Sequence, residues 1–372
     1  MAGASGSVDA IRVVGVVGAG TMGSGIAQVA LEAGHEVVLH DVDEPSIERG
    51  RSRVQEGLAR RAARLELDAE TLDEWVSGRL AGLRDAHSLD AVGAEADLVI
   101  EAALEDLDLK RTILAALDAS APPGVILATN TSALSVAAIA ERTRHRERVL
   151  GLHFFTPAPV MPLVEVVVPA AASPTIAERA FRLMESWGKT PVRCADTPGF
   201  IVNRVNRPFT IEALRMLEAG QATVEEIDDA MRSGGFPMGP FELMDLVGLD
   251  VNLATAHGVW ELLGRPERLR PSPVQEAMVA EGRLGRKTGL GFYRYAGGRS
   301  QGPAEAFVET GGAALDGSAI RDRILAAIEF EARDAVTQGV ATADDIDLAM
   351  RSGAGHPVGP FERASGRDAA GR

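Results

Sequence analysis

The sequence has almost no cysteine and no excess of basic residues. Cys194 is the only cysteine among 372 residues, so an internal disulfide and a site built from several thiolates are both excluded. Lys and Arg total 38 against 53 Asp and Glu, which gives a formal net charge of −15. General binding to nucleic acid or to an anionic membrane needs a positive surface. The sequence therefore predicts no nucleic-acid partner, and we expect Cys194 to be a small buried side chain.

Two kinds of segment are also missing. No apolar run approaches the roughly 20 residues that a membrane-spanning helix needs. The first ten residues, MAGASGSVDA, resemble neither a secretory signal nor an Arg-rich transit peptide. We therefore expect residues 1–10 to be a disordered tail, the protein to be cytoplasmic, and no membrane to be among its partners.

In the first part of the chain, strand-like runs alternate with helical segments. The runs are IRVVGVV, EVVLHD, DLVIEAA and VILATN. Such alternation is typical of an α/β fold with a doubly wound parallel sheet. After the turn signal DTPG at residues 196–199 the pattern is helical. The sequence predicts an α/β domain with a helical excursion over 11–195 and an all-helical domain over 196–295.

The end of the chain repeats part of the helical domain. A glycine-rich stretch, residues 296–318, is predicted to be a flexible linker. Beyond it, Gly339–Gly353 matches Gly220–Gly234 at 10 of 15 positions with an offset of 119. PVGPFE then repeats PMGPFE after one inserted residue. Residues 319–372 are therefore predicted to be a truncated repeat of the helical domain.

A glycine-rich turn, GAGTMG, follows the first strand-like run. Gly18 allows the tight turn, Gly20 lets a pyrophosphate approach the backbone, and Gly23 permits close packing of the following helix. Asp41 ends the second strand-like run, where a carboxylate would bind the adenosine ribose and repel a 2′-phosphate. The pattern predicts a Rossmann-type domain that binds NAD rather than NADP. The alternative is a glycine-rich turn that binds nothing.

Five further motifs follow one another along the chain. They are ATNTSAL, GLHFFTPAPVMPLVEV, DTPGFIVNR, GFPMGPFELMDLVGLD and GRKTGLGFY. In sequence and in order they resemble the L-3-hydroxyacyl-CoA dehydrogenase family, and the resemblance runs from about Val13 to Tyr293. The resemblance implies an NAD-dependent oxidoreductase that converts L-3-hydroxyacyl-CoA to 3-oxoacyl-CoA reversibly, short chains such as 3-hydroxybutyryl-CoA included.

The resemblance also implies four catalytic residues. His153 matches the general base, a role that suits an imidazole near neutral pH. Glu165 matches the carboxylate that orients this base, although sequence spacing cannot place it there. Ser132 and Asn203 match the positions that bind the substrate oxygen. Judged without the family, the plainer interpretations are favoured: His153 as a core histidine, Ser132 as part of a local turn and Asn203 as a helix cap.

Cofactor contacts are implied at four positions, and no metal is expected. Glu105, Lys110, Ser132 and Lys287 match cofactor-contacting positions of the family. Judged by spacing alone, the charged residues among them look like solvated surface.

An arginine-rich segment is the candidate site for coenzyme A. Residues 49–64 contain six arginines and a single acid, Glu56. On one helix, Arg49, Arg53, Arg60 and Arg64 would share a face suited to phosphates. We expect Arg60 and Arg64 to bind the CoA part of an acyl-CoA substrate, together with Ser132 and Asn203 on its acyl part. A solvated face without a ligand is the alternative.

The sequence departs from the family in three places, which together involve four residues. Thr156 replaces the Asn of HFFNP and shortens a contact on the nicotinamide side. Gly57 and Arg64 stand at a Ser and a Lys that touch coenzyme A, so one hydroxyl is lost and one charge is kept. In the repeat, Asp322 replaces Asn203, and the repeat has neither a glycine-rich strand nor a catalytic His, so it cannot be a second active site.

Two other functions stay open. The same scaffold acts on free hydroxy acids or sugar acids in the related gulonate dehydrogenases, and a non-catalytic NAD-binding protein is also possible.

The helical domain forms the dimer interface of the family, which implies a homodimer. The repeat could instead occupy that surface within one chain.

Overall fold

The computed structural model describes residues 11–65, 68–304 and 313–366. The predicted tail lies outside this part of the chain, as do residues 305–312 and 367–372. The chain forms two compact units, and their boundary lies between Asp196 and Thr197.

The first unit is built around an eight-stranded sheet. Its strands are β1 (Val13–Val17), β2 (Glu36–His40), β3 (Leu83–Asp85), β4 (Leu98–Glu101), β5 (Ile126–Thr129), β6 (Val149–Phe154), β7 (Leu163–Val168) and β8 (Thr190–Ala195). The strand order is β3-β2-β1-β4-β5-β6-β7-β8. All neighbouring strands are parallel except β6 and β7, which are antiparallel.

In the described part of this unit, seven α-helices connect or flank the strands. They are α1 (Thr21–Glu32), α2 (Glu44–Ala62), α3 (Ala69–Leu80), α4 (Leu89–Glu95), α5 (Leu107–Ser120), α6 (Val136–Ile139) and α7 (Pro174–Ser186). The central strands are apolar along their whole length because a parallel strand is covered on both faces. Val16, Ile100 and Leu150 accordingly have no exposed surface and belong to one core.

The strand order reverses between β1 and β4. From β1 the chain builds outward through β2 and β3, and then returns to the other side of β1 with β4. A crevice forms at such a reversal, beyond the carboxyl ends of the strands, and it is the usual ligand site of open α/β sheets. The predicted Rossmann-type, doubly wound α/β fold is confirmed.

In its described residues, the second unit consists of helices and one hairpin. Its first helices are α8 (Val202–Val205), α9 (Arg207–Glu218), α10 (Val224–Ser233), α11 (Pro240–Val247), α12 (Leu249–Leu262) and α13 (Pro273–Ala280). The hairpin consists of β9 (Tyr293–Ala296) and β10 (Arg299–Pro303), and α14 (Gly317–Thr337), α15 (Ala343–Ala354) and α16 (Pro360–Ala364) follow. Within the described residues, no helix combines the length and apolar character needed to cross a membrane.

The hairpin corrects the first part of the predicted linker. Gly297 and Gly298 have φ values of 57° and 76° and join two antiparallel strands. Two consecutive residues with positive φ make the tight turn that suits the twist of a hairpin, and glycine adopts it without strain. The glycines at 297 and 298 therefore shape a turn, whereas glycine-rich composition alone suggested a flexible segment.

The repeat reproduces the helices of the first copy. Helix α15 begins 119 residues after α10, matching the offset seen in the sequence. In the first copy Asp228 accepts hydrogen bonds from the amides of Phe241 and Glu242 at 2.9 and 3.1 Å. In the second copy Asp347 accepts the equivalent bonds from Phe361 and Glu362 at 2.8 and 3.0 Å. The two copies thus share local geometry as well as sequence.

Candidate active site

The glycine-rich turn lies at the reversal point of the sheet. Gly18 has a φ of 99°, and a Cβ at this position would lie 2.6 Å from the carbonyl oxygen of Ala102, which follows β4. A Cβ at Gly23 would lie 1.7 Å from the carbonyl oxygen of Gly18, so only glycine allows α1 to pack this closely. A Cβ at Gly20 would meet nothing within 4 Å. The turn leaves room beside Gly20 for a pyrophosphate at the start of α1.

Asp41 lies against this turn. Its Oδ2 accepts a hydrogen bond from the Ala19 amide at 2.6 Å, and Oδ1 accepts one from the Val42 amide at 2.6 Å. The carboxylate is therefore held at the edge of the glycine turn, where the ribose of a dinucleotide lies in Rossmann folds.

His153 and Glu165 are paired across two antiparallel strands. They are register partners on β6 and β7, and Nδ1 of His153 lies 2.6 Å from Oε2 of Glu165. His153 is 6% exposed and Glu165 is 0% exposed. A carboxylate at one ring nitrogen fixes the tautomer, so the other nitrogen can act as a base. This arrangement is one that a general base requires.

Ser132 lies in a loop after β5 that Glu105 organises. Oε1 of Glu105 accepts hydrogen bonds from the Thr131 hydroxyl at 2.6 Å and from the Ser132 and Ala133 amides at 2.9 and 3.2 Å. Burial opposes ionisation of Glu105, but the Thr131 hydroxyl, Lys110 and these amides together hold its pKa below the ordinary value. Glu105 is therefore an anion that fixes the backbone of the Ser132 loop.

Lys110 is buried, which rules out a solvated surface position for it. Its side chain is 1% exposed, and Nζ lies 2.8 Å from Oε1 of Glu101 and 3.4 Å from Oε2 of Glu105. Glu101 also accepts a hydrogen bond from the Thr129 hydroxyl at 2.6 Å. The sequence motifs do not single out Glu101, although an acidic residue that ends a buried strand at the sheet's carboxyl edge is a usable signal.

Asn130 is a second residue near the site that the sequence motifs do not single out. Its Oδ1 accepts a hydrogen bond from the Phe154 amide at 2.8 Å. This bond joins the loop that carries Ser132 to the strand that carries His153. Asn130 lies within the ATNTSAL motif, but only the tertiary structure shows that its partner is Phe154.

Asn203 and Lys287 lie in the second unit. Asn203 is the second residue of α8, whose N-cap is Ile201, so the interpretation of Asn203 as a helix cap is wrong. Lys287 is exposed and binds the Asp250 carboxylate at 2.5 and 2.7 Å, and this contact lowers the pKa of Asp250.

Two family models cover nearly all of the described chain. The model for the 3-hydroxyacyl-CoA dehydrogenase NAD binding domain matches residues 13–197. The model for the C-terminal domain of the same enzymes matches residues 199–295 and 320–366. The chain belongs to the 3-hydroxyacyl-CoA dehydrogenase family. As a member, it is an NAD-dependent oxidoreductase.

Individual relatives agree with this assignment. The 3-hydroxyadipyl-CoA dehydrogenase of Escherichia coli is 39% identical, with 94% of this chain and 90% of that protein covered. The 3-hydroxybutyryl-CoA dehydrogenase of Mycobacterium tuberculosis is 42% identical, with 77% and 99% covered. The crystal structure of 3-hydroxybutyryl-CoA dehydrogenase from E. coli superposes with a TM-score of 0.86 at 36% identity, with 96% of this chain and 92% of that chain covered.

The structure shows what surrounds Gly57 and Thr156, two of the residues that depart from the family. A Cβ at Gly57 would lie 2.0 Å from Oε1 of Gln28, so the family's serine would displace that side chain where α2 packs on α1. The Thr156 hydroxyl donates to the sulfur of Met22 at 2.9 Å and therefore lies beside the start of α1.

The arginine-rich face of α2 is shorter than predicted. Helix α2 ends at Ala62, so Arg64 lies in the turn beyond it. Arg53 donates to the carbonyl oxygen of Ala19 at 3.2 Å and so points toward the glycine turn. Arg60 is exposed and pairs with Glu56 at 3.5 Å. The prediction that four arginines share one helix face is thus wrong, because α2 ends before Arg64.

Proposed function

We propose that the protein oxidises the 3-hydroxyl group of short-chain L-3-hydroxyacyl-CoA substrates with NAD, and that the reaction also runs in reverse. The observation that carries this proposal is the buried His153–Glu165 pair, with Nδ1 and Oε2 2.6 Å apart, in a chain of this family. Relatives named for 3-hydroxybutyryl-CoA and for 3-hydroxyadipyl-CoA support a short acyl chain, neutral or dicarboxylic.

His153 handles the proton. Its Nδ1 faces Glu165, so Nε2 is the nitrogen that takes the proton from the substrate's 3-hydroxyl. Glu165 stabilises the imidazolium that forms, as the Asp of a serine-protease triad does. NAD, when bound, supplies the hydride acceptor. The same proton returns to the 3-oxo oxygen in the reverse reaction.

The proposed cofactor contacts follow the turn and the loop described above. Gly18, Gly20 and Gly23 form the pyrophosphate cradle, and Asp41 binds the adenosine ribose. Glu105 and Lys110 hold the loop of Ser132 on the nicotinamide side, since the three are joined by hydrogen bonds and an ion pair. Lys287 is a further proposed contact.

Substrate binding is divided between two kinds of residue. Ser132 and Asn203 hold the 3-oxygen, because a hydroxyl and an amide can donate to an alkoxide or carbonyl oxygen. Arg60 and Arg64 bind the phosphates of coenzyme A, since both are exposed on or just beyond α2.

We also infer that the repeat takes the place of a partner subunit. Its contacts with the first copy are reciprocal. A Cβ at Gly235 would lie 3.3 Å from Pro357, and a Cβ at the equivalent Gly355 would lie 3.1 Å from Pro237, the equivalent of Pro357. Reciprocal contacts of this kind characterise a two-fold interface between identical subunits. The repeat therefore covers, within one chain, the surface through which the helical domain would form a homodimer.

A single assay tests the proposed activity. NADH formation is measured with purified protein, NAD and L-3-hydroxybutyryl-CoA, and free 3-hydroxybutyrate, gulonate and NADP serve as parallel controls. We expect turnover that requires both the CoA moiety and NAD. Turnover of a free acid would favour the gulonate-type function, and NAD binding without any turnover would favour a non-catalytic protein.

A further inference from the structure

Arg207 is a buried cation that has no anionic partner among the described residues. It is 6% exposed and is the first residue of α9. Among the described residues, its only hydrogen bond runs from Nε to the carbonyl oxygen of Asn203, at 3.4 Å. No carboxylate in this part of the chain pairs with its guanidinium, and burial alone lowers the pKa of Arg207 to about 10.

The other two buried arginines of the described chain are fully paired. Arg148 is 4% exposed, and its Nη2 lies 2.7 Å from Oδ1 of Asp118. Arg204 is 1% exposed and binds the carboxylates of Glu331 and Asp334 at 2.8 and 3.0 Å. Among the residues that the structure describes, each buried guanidinium therefore has a carboxylate partner, except that of Arg207.

An unpaired buried charge is costly. Removing a guanidinium from water without a matching anion costs several kcal/mol, and such a group is retained only where something offsets that cost. A carboxylate suits a guanidinium well, because the two terminal nitrogens can donate to its two oxygens in parallel. Both terminal nitrogens of Arg207 lack a hydrogen bond to any described residue.

The position of Arg207 indicates which part of the substrate would carry that anion. Nε of Arg207 lies 3.4 Å from the backbone carbonyl oxygen of Asn203, so the guanidinium lies beside that residue. Asn203 holds the 3-oxygen in the proposed function. In a six-carbon acyl chain three carbon–carbon bonds separate C3 from the terminal carboxyl carbon, a reach of about 4 Å. The guanidinium thus lies within reach of a carboxylate at the far end of such a chain.

We propose that Arg207 binds the terminal carboxylate of a dicarboxylic 3-hydroxyacyl-CoA, which makes this chemical class the preferred substrate. The proposal rests on the proposed function, and it adds the substrate class and the residue that selects it. It places the CoA phosphates elsewhere, at Arg60 and Arg64.

The test compares two substrates of equal carbon number. Values of kcat/KM are measured for 3-hydroxyadipyl-CoA and for 3-hydroxyhexanoyl-CoA, which differ only in the terminal carboxylate. For the wild-type protein we expect a preference of about tenfold or more for the adipyl substrate. In Arg207→Met, kcat/KM for 3-hydroxyadipyl-CoA should fall by about 30-fold or more, while kcat/KM for 3-hydroxyhexanoyl-CoA should change by less than about threefold. Arg207→Lys should retain part of the preference.

Arg215→Met is the matched control. Arg215 lies two turns further along α9 and pairs with Glu212, so the same chemical change there should leave the substrate preference unaltered. Thermal unfolding of each variant shows whether it folds.

Each other outcome has a distinct meaning. A wild-type protein that prefers hexanoyl or treats both substrates alike overturns the proposal without any variant. An equal rise of KM for both substrates in Arg207→Met also overturns it, because the arginine would then bind the CoA phosphates. If neither acyl-CoA is oxidised, the proposed function itself has failed. If Arg207→Met does not fold, the wild-type ratio and Arg207→Lys decide the question.

Discussion

Arg204 and Glu331 form a buried ion pair that joins the two copies of the helical repeat. Nε of Arg204 lies 2.8 Å from Oε1 of Glu331, and each side chain is 1% exposed. The equivalent residues, at the same offset of 119, are Arg323 and Glu212, and they pair at 2.9 Å. The pairing is therefore reciprocal, as in a two-fold interface, although both partners belong to one chain.

Removal of the Glu331 carboxylate should destabilise the protein strongly. Glu331 binds Arg204 and also Arg268, at 2.7 Å, so Glu331→Ala leaves a buried guanidinium without this partner. We expect a loss of about 3–5 kcal/mol in the free energy of unfolding, measured by urea titration. Glu329→Ala is the control, because its pair with Arg333 is exposed and should contribute below about 0.5 kcal/mol. Similar losses in both variants would argue against a stabilising role of the buried pair.

The proposed role of the repeat predicts a monomeric full chain. Because the repeat covers the surface used for dimer formation, light scattering should give the mass of one chain. A version that ends at Tyr295 exposes that surface and should self-associate. A dimer of unchanged stability in both versions would contradict the proposal.

Replacement of His153 should abolish turnover without preventing NAD binding. In His153→Ala no group takes the substrate proton, so kcat should fall by about 10²- to 10⁴-fold. Glu165→Gln keeps the shape of the pair but no longer stabilises an imidazolium, so kcat should fall as well. The measurements are steady-state NADH formation and NAD binding by calorimetry. Near-normal kcat in His153→Ala would remove His153 from the role of base.

Charge reversal at Arg60 and Arg64 should weaken acyl-CoA binding selectively. The double variant Arg60→Glu, Arg64→Glu repels the phosphates of coenzyme A, so KM for acyl-CoA should rise by about tenfold or more. The KM for NAD should stay within about twofold of the wild-type value. Arg299→Glu, on the exposed strand β10 of the second unit, controls for the change in net charge. Equal rises in both KM values would contradict a CoA site at α2.

His356 should make the protein less stable in acid. Burial lowers the pKa of His356 to about 3, whereas an unfolded histidine titrates near 6.5. As the pH falls below about 6.5, the unfolded chain binds a proton that the folded chain does not, so stability falls. At pH 5 this linkage amounts to about 2 kcal/mol.

His356→Phe tests that linkage. Its equivalent in the first copy is Phe236, so the site accommodates a phenyl ring, although the hydrogen bond to Asn206 at 2.8 Å is lost. The variant should be about 1 kcal/mol less stable than the wild-type protein at pH 7.5 and about 1 kcal/mol more stable at pH 5, because it lacks the linkage of about 2 kcal/mol; urea unfolding measures both values. His257→Phe is the control, because 39% of the His257 side chain is exposed. An equal loss at both pH values would show that His356 does not carry the acid sensitivity.

Local sequence patterns predicted much of the fold. The strand runs and the GAGTMG turn have a local physical cause, since burial on both faces of a parallel sheet and close packing at Gly18 and Gly23 restrict the residue types. Lys110, by contrast, looked like solvated surface because spacing along a helix does not show that the buried Glu101 lies beside it.

The sequence by itself determined the family, the NAD-binding turn and the existence of the repeat, because each is written in consecutive residues. Only the tertiary structure decided that Glu165 lies opposite His153, since the antiparallel register of β6 and β7 brings together residues 12 apart. Only the tertiary structure pairs Arg204 with Glu331, which lies 127 residues away. Three residues later, it gives Arg207 no carboxylate partner within the described part of the chain. Burial and charge pairing depend on which distant segments pack together, and no local pattern records that.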